Sequence, residues 1–108
     1  MTAPLRIAIL SVAHLHADAY VDNLRRSPGV ELIGIADDDH ARAVQFASAH
    51  GVTAYASIEA LLAEQPDGVI VCSENSKHAP LVLAAAEAGA HVLCEKPLAT
   101  TVEDAQAM

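Results

Sequence analysis

The residues of this chain that can do chemistry fall in short groups, each directly behind an apolar run. Ser11-Val12-Ala13-His14-Leu15-His16 follows Leu5 to Leu10, and Asp37-Asp38-Asp39 follows Val30 to Ala36. Ser73-Glu74-Asn75-Ser76-Lys77-His78 follows Gly68 to Cys72, and Glu95-Lys96-Pro97 follows His91 to Cys94. The first group opens a helix-like segment, where free main-chain amides can hold a phosphate. Asp37 stands where a carboxylate accepts hydrogen bonds from a nucleotide ribose. Asp38 and Asp39 add negative charge that repels a 2'-phosphate, and no Arg stands next to Asp37, so if a dinucleotide binds, NAD is favoured over NADP. Lys96 is one of only two lysines. It can donate to a substrate hydroxyl or carbonyl oxygen, and partial burial would lower its pKa and permit proton exchange. Glu95 can orient it. His78 can face the cleft as a donor or proton carrier, or simply start a helix that Asn75 or Ser76 caps. The plain alternative for all four groups is that they are ordinary turn and capping residues.

His14 and His16 also raise a metal site. On a helix, residues two apart diverge, and no nearby Cys supplies a third ligand. The expectation is no metal. One histidine would donate to a phosphate or substrate and the other would pack.

Alternating elements must position these groups. The expected strands are Leu5 to Leu10, Val30 to Ala36, Thr53 to Tyr55, Gly68 to Cys72 and His91 to Cys94. The expected helices run from His14 to Arg26, His40 to His50, Ile58 to Glu64 and His78 to Ala88, with a last one beginning near Thr101. Gly29, Gly51 and Gly89 follow three of these helices, as helix stops should. Strands without polar alternation are buried on both faces, which marks a parallel sheet covered by helices. The expected fold is α/β: a doubly wound parallel sheet of the Rossmann kind in order 3-2-1-4-5. In such a sheet ligands bind beyond the carboxyl ends of the strands, where all four polar groups converge.

The bulk numbers agree with one such domain over residues 1–108. The chain is 53% hydrophobic but only 3% aromatic, so its core is built from Ala, Val, Leu and Ile. Its formal charge of -8 disfavours nucleic acid. No apolar run reaches the ~18 residues of a membrane helix. The opening MTAPLRIAILSVA has one Arg and a short apolar run, and reads as a first strand rather than a signal peptide. Cys72 and Cys94 make neither a disulfide framework nor a zinc set, which suits a cytoplasmic protein with reduced thiols. They end neighbouring strands and are expected to lie close without bonding. The last helix has no stop signal before Met108, and a six-stranded dinucleotide domain would need another strand, so the expectation is a fragment of a longer two-domain protein.

Taken together, these pieces resemble the N-terminal domain of the Gfo/Idh/MocA oxidoreductases, the glucose-fructose oxidoreductase and inositol dehydrogenase family. CEKPLA at Cys94 to Ala99 and AAAEAGAHVL at Ala84 to Leu93 carry the resemblance most specifically. Asn75 and His78 match the family's Asn-x-x-His, although Glu74 stands where the family usually has proline, and Asp37 matches the ribose-binding acid. The resemblance implies an NAD(P)-dependent oxidoreductase acting on a sugar, cyclitol or related polyol. Lys96, Glu95 and His78 would be its catalytic-site residues here. Ser11 to His16, Asp37, Asp38, Ser73, Asn75, Glu95, Lys96 and Pro97 would be its cofactor contacts, with a candidate cis peptide before Pro97. It further implies that the family's second domain completes the active site and that the full-length protein is a homo-oligomer. The 108-residue chain alone would then bind a dinucleotide without turning over substrate. The alternative is a non-catalytic member that senses a nucleotide or sugar.

The departure is the opening loop, where Ser11, Ala13 and His16 replace the three glycines of G-x-G-x-x-G. Ser11 can serve the first turn if its φ is negative. The Ala13 methyl costs some room beside a pyrophosphate. His16 must point outward or push its helix away. Weakened cofactor binding is the expectation.

Overall fold

A computed structural model of the chain describes residues 3–96 and 98–108. Pro97 lies outside the described residues, and with it the candidate cis peptide. The elements are β1 (Leu5–Leu10), α1 (Ala17–Arg26), β2 (Val30–Ala36), α2 (His40–His50), α3 (Ile58–Leu62), β3 (Gly68–Val71), a 3₁₀ turn (Asn75–Lys77), α4 (His78–Glu87), β4 (His91–Cys94) and α5 (Val102–Ala107).

The four strands form one parallel sheet in the order β2-β1-β3-β4. Ile9 is the register partner of Ile35 on one side and of Ile70 on the other. Residues alternate between the faces of a strand, and both faces here are apolar. Ala8 and Leu10 join Val69, Val71, Val82, Ala85 and Leu61 on one side. Ile9 joins Ala17, Val21, Ala43, Ala47, Ile35 and Ile70 on the other. That two-sided burial is why the strands lack polar alternation. Alanines on the sheet-facing sides of α1, α2 and α4 let the helices approach closely without aromatic filler.

Two expectations need correction. The sheet has four strands, not five. Thr53 to Tyr55 makes a single parallel bridge, Ile35 to Ala54, and not a strand. Ile35 N donates to the Thr53 carbonyl at 2.9 Å and Tyr55 N to the Ile35 carbonyl at 2.8 Å. The chain then leaves at once for α3, whose N-cap Ser57 accepts from Ala60 N at 3.0 Å. Gly34 permits even this contact, since a Cβ there would lie 2.5 Å from the Tyr55 ring. With that segment counted as a bridge, the spatial order is the expected one.

The second correction concerns α1, which starts at Ala17 instead of His14. Residues 11–16 are a separate loop. Ala17 and Val21, 1% and 0% exposed, bring the helix against the sheet. The close packing that a third glycine would allow is supplied by Ala17, one position later, and the half-exposed His16 ring lies outside that contact, beside Glu95.

Candidate functional site

The carboxyl ends of β1, β2, β3 and β4 bring Ser11, Asp37, Ser73 and Glu95 to one edge of the sheet, and all four are buried. Ser11 has φ 70, the left-handed conformation that glycine adopts freely. This overturns the expectation of a negative φ. The serine turns the chain as glycine would, and its side chain ties down the result. Ser11 Oγ donates to Asp37 Oδ2 at 3.1 Å and accepts from Ala13 N at 3.3 Å.

Asp37 is the hub of this edge, and its side chain is fully buried. Oδ2 accepts from Val12 N at 2.9 Å and from Arg42 Nε at 3.0 Å, besides Ser11. Oδ1 accepts from Asp39 N and from Arg42 Nη2, both at 2.8 Å. Burial by itself would raise the Asp37 pKa. The two-pronged Arg42 contact and the Val12 and Asp39 amides outweigh it, and the carboxyl stays ionised far below the usual carboxylate range. A carboxylate offers about four acceptor sites, and five donors fill this one. A ribose hydroxyl reaches it only by displacing one of them.

Arg42 corrects the statement that no arginine stands next to Asp37. It is not adjacent in sequence, but Asp39 caps α2 by accepting from Arg42 N at 3.1 Å, which puts Arg42 in the first turn. From there its side chain folds back over the strand end. The cap of Asp39 was the sequence signal that could have located it. Arg42 also lies 3.6 Å from Asp38 and 3.5 Å from Glu74. Lys77 pairs with Asp38 and lies 3.7 Å from Glu74. Glu74 has φ -55, a value proline would share, so the departure from the family's proline keeps the backbone and adds a carboxylate.

Ser73 is buried, with its Oγ donating to the Glu74 carbonyl at 3.0 Å. Neither Asn75 nor Ser76 caps α4; both lie in the 3₁₀ turn that leads into it, with no side-chain cap bond. His78 is 0% exposed, so its ring does not face the cleft, and its Nε2 lies 3.3 Å from the Ser73 carbonyl oxygen. An open pocket of about 230 Å³ lies along this edge, with Ile58, Pro80 and Leu81 as apolar walls and Ser11, Asp38, Ser73 and Lys77 as polar ones.

At the other end of the edge, Glu95 is 7% exposed. Its carboxylate does not turn toward the Lys96 ammonium. Oε2 accepts from Tyr20 at 2.7 Å and lies 3.3 Å from His16 Nδ1, while Oε1 accepts from Lys96 N at 3.3 Å. The Tyr20 hydroxyl is the first cause holding the Glu95 pKa below its ordinary value; the same bond and burial push Tyr20 up to about 12. Tyr20 was missed from sequence because nothing local ties α1 to the end of β4. Lys96 itself is exposed rather than partly buried.

The loop between β1 and α1 is largely closed on itself. His14 N donates to the Cys72 carbonyl at 2.8 Å, Ala17 N to the His14 carbonyl at 3.1 Å, and His16 N to His14 Nδ1 at 3.1 Å. The His14 ring thus occupies the acceptor place at an amide that a phosphate would use. Leu15 projects at 81% exposure. The objection that two histidines would diverge along a helix does not apply, because His14 precedes α1. The side chains of His14, His16 and Glu95 lie together, the one such group of three possible metal ligands among the described residues. Both cysteines are free, Cys72 being buried, which raises its pKa to about 12. Among the described residues no helix is long and apolar enough to cross a membrane.

Comparison with known proteins agrees with this architecture. The chain is 36% identical over 109 residues to D-glucoside 3-dehydrogenase of Escherichia coli, covering 99% of this chain and 31% of that protein. It is 36% identical over 101 residues to inositol 2-dehydrogenase 3 of Saccharopolyspora erythraea, covering 93% and 30%. Among solved structures, UDP-N-acetylglucosamine 3-dehydrogenase from Acidithiobacillus ferrooxidans superposes with a TM-score of 0.80 at 32% identity, covering 98% of this chain and 34% of that one. The chain therefore spans about a third of the length of these relatives. The family model described as "Oxidoreductase family, NAD-binding Rossmann fold" matches residues 5–108, and the chain belongs to that family, GFO_IDH_MocA, as its NAD-binding domain.

Proposed function

We propose that residues 1–108 are the cofactor-binding domain of a longer, cytoplasmic oxidoreductase that uses a second domain to bind its substrate. That enzyme moves a hydride between a nicotinamide cofactor and a sugar, cyclitol or related polyol. When bound, the dinucleotide supplies the hydride-carrying carbon. The chain's own residues bind and orient it. The pyrophosphate lies at the β1–α1 turn, against Ala13 and Leu15, and takes the His16 amide once the His14 ring moves aside. Asp38 takes the adenosine ribose, because Asp37 is already filled; Asp37 instead holds the loop and Arg42. Ile58, Pro80 and Leu81 offer flat apolar surface to the adenine. Ser73 and Asn75 line the path between the two halves of the cofactor.

The observation that carries this reading is the position of Glu95-Lys96, at the carboxyl end of β4 and directly across the edge from the 11–16 loop. Lys96 is exposed there and free to donate to a substrate oxygen and a cofactor hydroxyl. Glu95 holds the turn through Tyr20 and His16, and His78 holds the Ser73 carbonyl; both are positioning residues. NAD is preferred over NADP. Arg42 and Lys77 are outnumbered by Asp37, Asp38 and Glu74 around the place a 2'-phosphate would take, and like charge opposes a phosphate. The full-length protein is expected to be a homo-oligomer. Calorimetric titration with NAD and NADP, followed by turnover assays on a panel of sugars and cyclitols, tests the reading. No binding of either dinucleotide at millimolar concentration overturns it.

One observation favours the second reading, a non-catalytic sensor: His14 occupies the His16 amide. Dinucleotide or sugar binding without turnover of any polyol selects that reading.

A further inference from the structure

We propose that His14, His16 and Glu95 form a binding site for a zinc-like divalent transition-metal ion at the β1–α1 loop. His14 precedes α1 and His16 is its N-cap residue, so their rings converge, with centroids 4.5 Å apart at 62°. Glu95 arrives from the end of β4. One donor atom from each of the three lies within 4.8 Å of the others.

Tetrahedral zinc with bonds of about 2.0–2.2 Å sets its ligand atoms about 3.3–3.5 Å apart. His16 Nδ1 and Glu95 Oε2 are already 3.3 Å apart. No gap exceeds 4.8 Å, so none must close by more than roughly 1.5 Å, which a rotation of the His14 ring supplies.

The protonation pattern also suits a metal. The His16 amide donates to His14 Nδ1 at 3.1 Å, so that nitrogen carries a lone pair rather than a proton. A bound ion takes the amide's place. At His16 the Nδ1 atom lies 3.3 Å from Glu95 Oε2, and the ion would sit between the two. The Tyr20 hydroxyl, 2.7 Å from Glu95 Oε2, is the outer partner that orients the carboxylate ligand. Two imidazoles and one carboxylate with an open fourth position match the zinc class of ions, not calcium or magnesium, which prefer all-oxygen shells.

The test uses the metal-free full chain without dinucleotide, so its outcome is independent of the cofactor reading. Co²⁺ is titrated in and its visible d–d absorption is followed, then Zn²⁺ is added as competitor. One Co²⁺ per chain is expected, displaced by Zn²⁺. His16→Ala and Glu95→Gln should each weaken Co²⁺ binding by at least about tenfold, and Tyr20→Phe by about tenfold. His40→Ala, at an exposed helix start away from the cluster, should leave it unchanged. His16 is half exposed, so its removal spares the core, and His14→Ala gives a second ligand variant; unfolding curves of both without metal report whether the fold is kept. No saturable binding at micromolar Co²⁺, or binding that survives both His16→Ala and Glu95→Gln, overturns the proposal.

Discussion

Ser11 and Asp37 hold each other in place across the carboxyl ends of two neighbouring strands. Ser11 sits at φ 70 and its hydroxyl donates to the buried Asp37 carboxylate at 3.1 Å. A left-handed non-glycine residue costs roughly 1–2 kcal/mol, and here its side chain offsets part of that cost. Ser11→Ala keeps the strain and loses the bonds, so it should destabilise the protein by about 1–3 kcal/mol. Ser11→Gly relieves the strain and should cost less. Urea unfolding midpoints check the order; equal midpoints for the two variants would contradict it.

Removing Arg42 leaves a buried carboxylate without its cationic partner. Breaking such a pair costs about 3–5 kcal/mol when both groups are fully buried. The Arg42 side chain is 32% exposed, so Arg42→Ala should cost less, about 2 kcal/mol. It should also raise the ratio of NADP to NAD dissociation constants, since the chain then has one cation fewer to meet a 2'-phosphate. Unfolding and calorimetry on the same variant measure both effects.

Asp37 predicts an acid limb of the stability curve. Its pKa is depressed in the folded chain, so its contribution is fully present above the unfolded value of about 4 and is lost as pH falls below that. Thermal midpoints should therefore fall steeply between about pH 4 and pH 2. Asp37→Asn should be less stable at pH 7 and show a flatter acid limb. An unchanged slope in that variant would place the acid sensitivity elsewhere.

His14 sets a competition at the phosphate loop. His14→Gly frees the His16 amide and should tighten NAD binding by about tenfold, the worth of one charge-assisted hydrogen bond. Unchanged affinity would show that the ring moves aside at no cost.

Lys96 is the proposed proton and hydrogen-bond donor to substrate. In the full-length protein Lys96→Met should lower kcat by about 10²–10⁴-fold and leave the NAD dissociation constant within a few-fold. Loss of cofactor binding in proportion to activity would make the cofactor hydroxyl, and not the substrate oxygen, the main partner of this lysine.

Much of the fold, and the sheet edge where the polar groups gather, was legible in the sequence, and the reason is local. Uninterrupted apolar runs such as GVIVC can form strands only if both faces are covered. Helix stops at Gly51 and caps at Asp39 and Ser57 act over one turn of chain. The polar groups after each run had to fall at one edge of a parallel sheet. Thr53 to Tyr55 misled because its composition suits a strand while its length, with α3 following at once, allows one bridge.

By itself, then, the sequence determined the parallel two-faced sheet, its strand order and the edge where polar residues gather. These follow from periodicity, breakers and the handedness of short crossovers. Only the tertiary structure decided what each polar side chain does there. Arg42 closes over Asp37, Glu95 turns to Tyr20, His16 and the Lys96 amide instead of to the Lys96 ammonium, and His78 goes under the surface. Tyr20 and Glu95 are 75 residues apart in the chain. A charged or hydrogen-bonding group takes whichever partner the fold delivers within about 3 Å, and spacing along the chain does not reveal which partner that is.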